Sequence, residues 1–294
     1  MRIGRPVMRL MLAGLLPALL AGCGGVLDPQ GPVAGAERKI LFDALAIMLA
    51  LIGPTLIGAA LIAWWFRADN KRAQYRPTFT FSGRLEILIW SVPTLIIVFL
   101  GGLIWFGSHE LDPYKPLASD KPPLRIQVVS LDWKWLFVYP DQGVATVNDM
   151  VIPAGQPIAL DLTSASVMNT FWVPQLAGMV YTMNGMVTKL HLQADNPGDY
   201  PGRSGNLSGD GFSQMHFTVH AVASDAFPQW VERAKASGNA LDRGAYEALT
   251  KPSTVAAPIT YQSVQDDLFQ QVAMQDIPPG PGPANRPATK QSEN

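Results

Sequence analysis

The residues able to hold a soft metal are few in this chain: one cysteine, four histidines and eleven methionines. Copper favours thiolate together with imidazole and thioether, and a blue-copper site cannot be built without the thiolate. The only cysteine, Cys23, stands near the N-terminus, far in sequence from His109, His191, His216 and His220. His216 and His220 share one face of an alternating segment, but their spacing along a strand separates them by about 13 Å, too far to chelate one ion. Each histidine is therefore expected in a solvated or hydrogen-bonded role. Met168, Met179, Met183 and Met186 offer thioethers, which are expected to fill core or to face a partner, because methionine packs adaptably. Ser204 to Gly211 is rich in glycine, but no Gly-Lys-Ser/Thr follows and Arg203 is the one adjacent basic residue, which argues against a phosphate cradle. Glu86 opens an apolar run. There a carboxylate stabilises a helix N-terminus by up to about 1 kcal/mol, and at a membrane rim it can also collect and relay protons.

The elements that must position these residues begin with a membrane address. Arg2, Arg5 and Arg9 precede Leu10 to Leu20, an apolar stretch too short to span a bilayer and suited to a secretory signal. Its ending, Leu20-Ala21-Gly22-Cys23, resembles a bacterial lipobox. That likeness implies removal of residues 1–22 and acylation of Cys23, palmitate included, as the mature first residue. A lipid-bearing Cys23 cannot serve a distant metal site, and disulfides are excluded although the destination is oxidising.

With 48% apolar residues, 15% charged residues and a formal net charge of −1, the composition fits a membrane-attached protein and argues against nucleic acid as a partner. Ala44 to Phe66 and Ile87 to Ser108 carry no charge, and each exceeds the roughly 20 residues needed to cross a bilayer. The Gly53-Pro54 pair is expected to kink the first span. Trp64, Trp65, Trp90 and Trp105 lie near the span ends, as interfacial anchors should. Between the spans, Arg67, Lys71, Arg72, Arg76 and Arg84 outweigh Asp69, which places this loop in the cytoplasm and both termini in the periplasm. With two spans anchoring the chain, acyl groups on Cys23 are expected to be redundant for attachment. Gly58, Ala59, Gly101 and Gly102 suit close packing with further membrane helices.

After a linker over 115–123, short alternating segments appear: Leu124, Ile126 and Val128; Ile158, Leu160 and Leu162; Met215, Phe217 and Val219. These predict half-buried strands, and the turn signals between them predict a small all-β sandwich or barrel over 124–222. Trp133 and Trp135 are expected on one face of a strand, packed against the sheet or a membrane subunit. A helical extension is expected over 223–276, with Phe227, Trp230, Val231 and Ala234 on one stripe and a break near Gly238. The proline- and glycine-rich residues 277–294 are expected to be disordered.

Two spans followed by Asp132-Trp-Lys-Trp135-Leu-Phe-Val-Tyr139 and Val167-Met-Asn-Thr-Phe-Trp-Val-Pro174 resemble subunit II of the haem-copper oxidases. The likeness runs from about Ile40 to beyond Thr250, and Tyr139 to Asn148, the lipobox and the Trp230 helix resemble the bo-type ubiquinol oxidase branch. It implies an α-helical hairpin over 40–114, preceded by a periplasmic segment over 23–39 and followed by a cupredoxin-like sandwich. In the cytochrome c oxidases of the family this cupredoxin holds two coppers. Laid on that pattern, Asn169 replaces the first histidine ligand, Ser204 and Ser208 the two cysteines, Asn206 the glutamate and Phe212 the second histidine; only Met215 keeps a ligand type. No metal is then expected in this chain, and cytochrome c has no first electron acceptor.

The resemblance implies a non-redox subunit of a proton-pumping enzyme of the bacterial inner membrane that oxidises ubiquinol and reduces dioxygen to water. Its haems and one copper are expected in subunit I, the main partner beside further small membrane subunits and membrane lipid. Glu86 matches the family's glutamate at the cytoplasmic mouth of a proton pathway. Two other classes stay open on the residues: a copper-bearing cytochrome c oxidase subunit II, and a periplasmic lipoprotein scaffold outside respiration.

Overall fold

The computed structural model describes residues 25–74, 76–255, 257–280 and 282, so Cys23 and the signal segment lie outside it. The chain forms two compact units, one of Ala36–Asp112 and one of the residues up to Gly35 together with Pro113 onward.

In the first unit, α1 (Pro32–Trp65) and α2 (Gly83–Glu110) contain 34 and 28 residues, long and apolar enough to cross a membrane. Proline suits the start of α1, because its missing N–H would have no helical partner there. The apolar windows of both helices are uncovered by the rest of the chain, leaving that surface to lipid or to other helices. Pro54 and Pro93 each interrupt the hydrogen-bond ladder, and each is followed by a threonine. Thr55 Oγ1 donates to Leu51 O and Thr94 Oγ1 to Trp90 O, both at 2.7 Å. Side-chain hydroxyls are one means by which proline-bearing helices in lipid keep nearby carbonyls satisfied.

The second unit is a β-sandwich. Its strands are β1 (Leu124–Leu131), β2 (Lys134–Tyr139), β3 (Val144–Val147), β4 (Asp149–Pro153), β5 (Ile158–Ser164), β6 (Asn169–Trp172), β7 (Val180–Thr182), β8 (Thr188–Leu192), β9 (Gly198–Ser204) and β10 (His216–Val222). The extension adds α3 (Ala226–Lys235), β11 (Ala240–Leu241), α4 (Arg243–Leu249), β12 (Ile259–Tyr261), β13 (Ser263–Val264) and α5 (Leu268–Ala273). One sheet runs β12-β3-β2-β1-β5-β8 and the facing one β4-β10-β9-β6-β7, while β11 and β13 form a separate pair. Both sheets mix directions, with β1 parallel to β5 inside the larger sheet and β10 parallel to the edge strand β4 of the other. Beyond the expected helix, the extension thus contributes strands, one of which lengthens the larger sheet by pairing Ile259 with Val147.

The expected alternation holds in β5 as far as Leu162 and in β10, where buried residues take turns with more exposed ones. It fails in β1 beyond Gln127 and throughout β2, whose residues are buried on both faces. Two apolar cores explain this. Ile126, Val128, Trp135, Phe137 and Tyr139 face the interior between the sheets, with Phe227, Val231 and Ala234 of α3 closing one side. Val129, Leu131, Leu136 and Val138 point the other way, into a second core with Tyr246, Leu249, Leu268, Phe269 and Val272. Burying a large aliphatic or aromatic side chain contributes about 1.5–3 kcal/mol, so the extension forms a third layer over the larger sheet. Ile277 belongs to this layer and Gly280 N donates to Ala165 O at 2.7 Å, so packed chain runs past the boundary expected at 277.

Candidate functional site

Asn169 opens β6 and Ser204 closes β9, while Asn206, Ser208, Phe212 and Met215 lie on the connection to β10. Antiparallel pairing sets Phe171 opposite Ser204 and so draws the two strands together at this connection. Ser204 Oγ lies 3.3 Å from Asn169 Oδ1 and 3.5 Å from the Asn206 carbonyl, either of which can take its proton. Asn169 Nδ2 donates to Val167 O at 3.3 Å and to Ser130 Oγ at 3.5 Å, and Ser130 Oγ lies 2.8 Å from Thr182 Oγ1. Ser208 Oγ points at the Met215 sulfur at 3.9 Å, and Ser204 N donates to Met215 O at 3.3 Å. Asn169, Ser204, Ser208 and Met215 are all buried, as polar groups can be when they find hydrogen bonds. Phe212 is partly exposed on a single 3-10 turn, and Asn206 takes part through its carbonyl.

This cluster is neutral: an amide, two hydroxyls and a thioether. It offers no thiolate and no imidazole, so it does not fit a two-copper centre, which needs both. Strand alternation aims His216 away from it, exposed, although Met215 beside it is buried. Among the described residues, no group of three or more histidine, cysteine, aspartate or glutamate side chains is placed to hold a metal ion.

The loop after β9 is held by an indole. Leu131 pairs with Lys134, leaving Asp132 and Trp133 as a two-residue turn between β1 and β2. Trp133 has φ 65°, a left-handed conformation rare for a bulky side chain. Two contacts hold it there. Trp133 Nε1 donates to Ser208 O at 2.9 Å, and its ring lies on Gly211, where an added Cβ would come within 2.2 Å of the indole. Trp133 and Trp135 therefore both reach the inner core, but Trp133 does so from a turn rather than from the strand.

Lys134, the residue between them, is fully buried and was not singled out by the sequence reading. Its Nζ donates to Lys251 O at 2.8 Å and to Ser253 Oγ at 2.7 Å. Burial lowers the ammonium pKa to about 8, while neighbouring Asp132 acts to raise it. Asp132 is also buried; its Oδ1 accepts from Ser166 Oγ at 2.5 Å and its Oδ2 has no hydrogen-bond partner. This pair joins the segment after α4 to the loop that leads into Asn169. The signal in the sequence was a lone charge inside an aromatic run, one face of which the extension covers.

The remaining candidates lie apart. Glu86 sits in the first turn of α2, where its Oε2 accepts from Trp90 Nε1 at 3.1 Å. His109 packs its ring 4.5 Å from Trp105, and His191 Nδ1 stands 2.9 Å from Pro113 O. His220 lies between two carboxylates, with Nε2 2.9 Å from Asp149 and Nδ1 2.6 Å from Asp199. Burial raises the Asp149 pKa, an effect that His220 partly offsets. Met168, Met179 and Met186 are exposed, which removes core filling as their role.

Residues 101–222 match the family model described as cytochrome c oxidase subunit II, periplasmic domain, and residues 235–280 match the COX aromatic rich motif. The chain is 48% identical over 266 residues to ubiquinol oxidase subunit 2 of Acetobacter aceti, covering 89% of this chain and 86% of that one. It is 44% identical over 266 residues to cytochrome bo(3) ubiquinol oxidase subunit 2 of Pseudomonas aeruginosa, covering 90% of this chain and 80% of the relative. Quinol oxidase subunit 2 of Bacillus cereus is 38% identical over 252 residues, with 83% and 87% covered. Two apolar helices, a β-sandwich matching the periplasmic-domain model and this similarity over most of both chains agree: the chain belongs to the ubiquinol oxidase subunit 2 family.

Proposed function

We propose that the chain is the non-redox subunit II of a proton-pumping terminal oxidase that takes electrons from ubiquinol and reduces dioxygen to water. The observation that carries this reading is the buried cluster of Asn169, Ser204, Ser208 and Met215, closed by neutral hydrogen bonds, which the family resemblance sets at the copper-ligand positions of the cytochrome c oxidases. A cluster of that chemistry takes no electron from cytochrome c. Haems and copper then belong to subunit I, which α1 and α2 brace within the inner membrane while the sandwich caps its periplasmic face. Cys23 is the proposed lipid attachment, with further small membrane subunits completing the assembly.

Isolating the complex through a tag on this chain tests the reading. Turnover with ubiquinol, none with reduced cytochrome c, and one copper per two haems is the expected result. Cytochrome c turnover with additional copper would assign the chain to the copper-bearing class, and a preparation without haem would leave a scaffold outside respiration.

Glu86 is the proposed proton collector at the cytoplasmic start of α2. Glutamine keeps an oxygen acceptor for Trp90 Nε1 but cannot exchange a proton at this position. Glu86→Gln is therefore expected to lower oxygen turnover and proton pumping severalfold while assembly is unchanged. Unchanged turnover and pumping would leave Glu86 with the helix-terminus role alone.

A further inference from the structure

The connection between α1 and α2 gathers guanidiniums beside aromatic rings. A concavity of about 850 Å³ is lined by Trp65, Phe66, Arg67, Arg72, Arg76 and Phe79 among others. Arg67 donates to Trp64 O at 2.9 Å and lies over that ring, 5.4 Å from its centroid. Arg76 donates to Gln74 Oε1 at 2.7 Å, and Arg72 N is fixed by Asn70 Oδ1 at 3.1 Å. None of the ion pairs among the described residues involves Arg67, Lys71, Arg72 or Arg76, and all four are exposed. Basic charge is thus concentrated here, with Asp69 as the one carboxylate of residues 67–76 and no ion pair to it among the described residues. Beside this concavity, and sharing Trp65 and Phe66 with it, runs an apolar groove of about 290 Å³ lined also by Leu61, Ile62 and Trp64.

Both features lie where the membrane-type helices end, the level at which indole rings and arginines meet lipid headgroups. A guanidinium fork matches a phosphate by paired, charge-assisted hydrogen bonds, which an ammonium cannot reproduce. We propose that this pocket binds an anionic phospholipid, its phosphate between Arg72 and Arg76 and an acyl chain along Leu61, Ile62 and Trp65. The apolar groove is what favours a lipid over a free phosphate ion, which would use the arginines alone. The proposal requires that α1 and α2 reach a bilayer surface and is independent of the quinol oxidase reading.

Native mass spectrometry of the full chain in neutral detergent, titrated with phosphatidylglycerol or phosphatidylcholine, tests it. Phosphatidylglycerol is expected to be retained in preference, and sodium phosphate is expected not to displace it. At about fivefold per basic residue near a headgroup, the double variant Arg72→Gln, Arg76→Gln should bind phosphatidylglycerol about thirtyfold more weakly. Equal retention of the two lipids, or unchanged binding by the double variant, would overturn the assignment. Displacement by sodium phosphate would overturn it in favour of a soluble anion. Should the glutamine pair fail to insert, Arg72→Lys with Arg76→Lys keeps the charge that orients the spans and removes the forks. Severalfold weaker retention is expected of that pair, and unchanged retention would overturn the guanidinium contact.

Discussion

Trp135→Ala is expected to lower the stability of the β-rich unit by about 3–5 kcal/mol, the largest single-residue effect in the chain. Trp135 is fully buried, with Phe171 edge-on at 5.4 Å and Phe217 at 5.5 Å between ring centroids. Phe171 stacks on Phe217 at 4.9 Å and Phe137 lies 5.3 Å from Phe217, so the cavity would open among rings held by two facing sheets. Rings fixed on opposed sheets cannot collapse into the space, which puts the cost at the upper end for a large-to-small change. Trp135→Phe is expected to cost far less. The indole Nε1 is buried with no hydrogen-bond partner, and removing such a donor returns about 1–3 kcal/mol against the lost volume. Denaturant unfolding of the full chain, followed by near-ultraviolet circular dichroism, separates the two variants. Equal losses would show that the ring cluster is not what the indole stabilises.

Lys134→Met is expected to cost about 3 kcal/mol near neutral pH, with the loss centred on the segment after α4. Methionine fills much of the same volume but leaves Lys251 O and Ser253 Oγ without their donor. A hydrogen bond from a charged donor contributes about 1.5–3 kcal/mol, and two are lost here, of which relief from burying the ammonium returns part. The pH dependence identifies the cause. The folded-state pKa of Lys134, about 8, lies below its ordinary 10.5, so between these values the unfolded chain binds more protons. Stability from this group therefore rises with pH from about 8 toward 10.5, by at most about 1.4 kcal/mol per pH unit. Burial raises the pKa of Tyr139 and Tyr246 above the ordinary 10.0, which works in the opposite sense once unfolded tyrosines ionise. The rise is thus confined to about pH 8–10 and should vanish in Lys134→Met. A variant that kept the rise would assign it elsewhere, and hydrogen exchange over 250–255 should accelerate in the variant alone.

Several features were legible because they are local. An uncharged run of sufficient length reports a span without reference to anything distant, and α1 and α2 cover both expected runs except for Phe66. Alternation in β5 and β10 reports one covered face, and the helical stripe Phe227, Val231 and Ala234 reports the side of α3 that enters the core. The juxtaposition of Asn169 with Ser204, and of Ser208 with Met215, was implied only by resemblance to a family. Nothing in their own spacing requires it, since β6 and β9 meet through a register that periodicity does not encode.

By itself the sequence determined the membrane class, an all-β outer domain, the family and a single cysteine set far along the chain from every histidine, because composition, run length and residue identity do not depend on folding. Tertiary structure alone decided which residues are buried on both faces of β1 and β2. The covering layer comes from far downstream, and a strand's own pattern reports only how many faces are apolar, not what covers them. For the same reason nothing in the sequence marks Lys134 as buried, and it becomes a buried ammonium bonded to Lys251 and Ser253 once that layer closes over it.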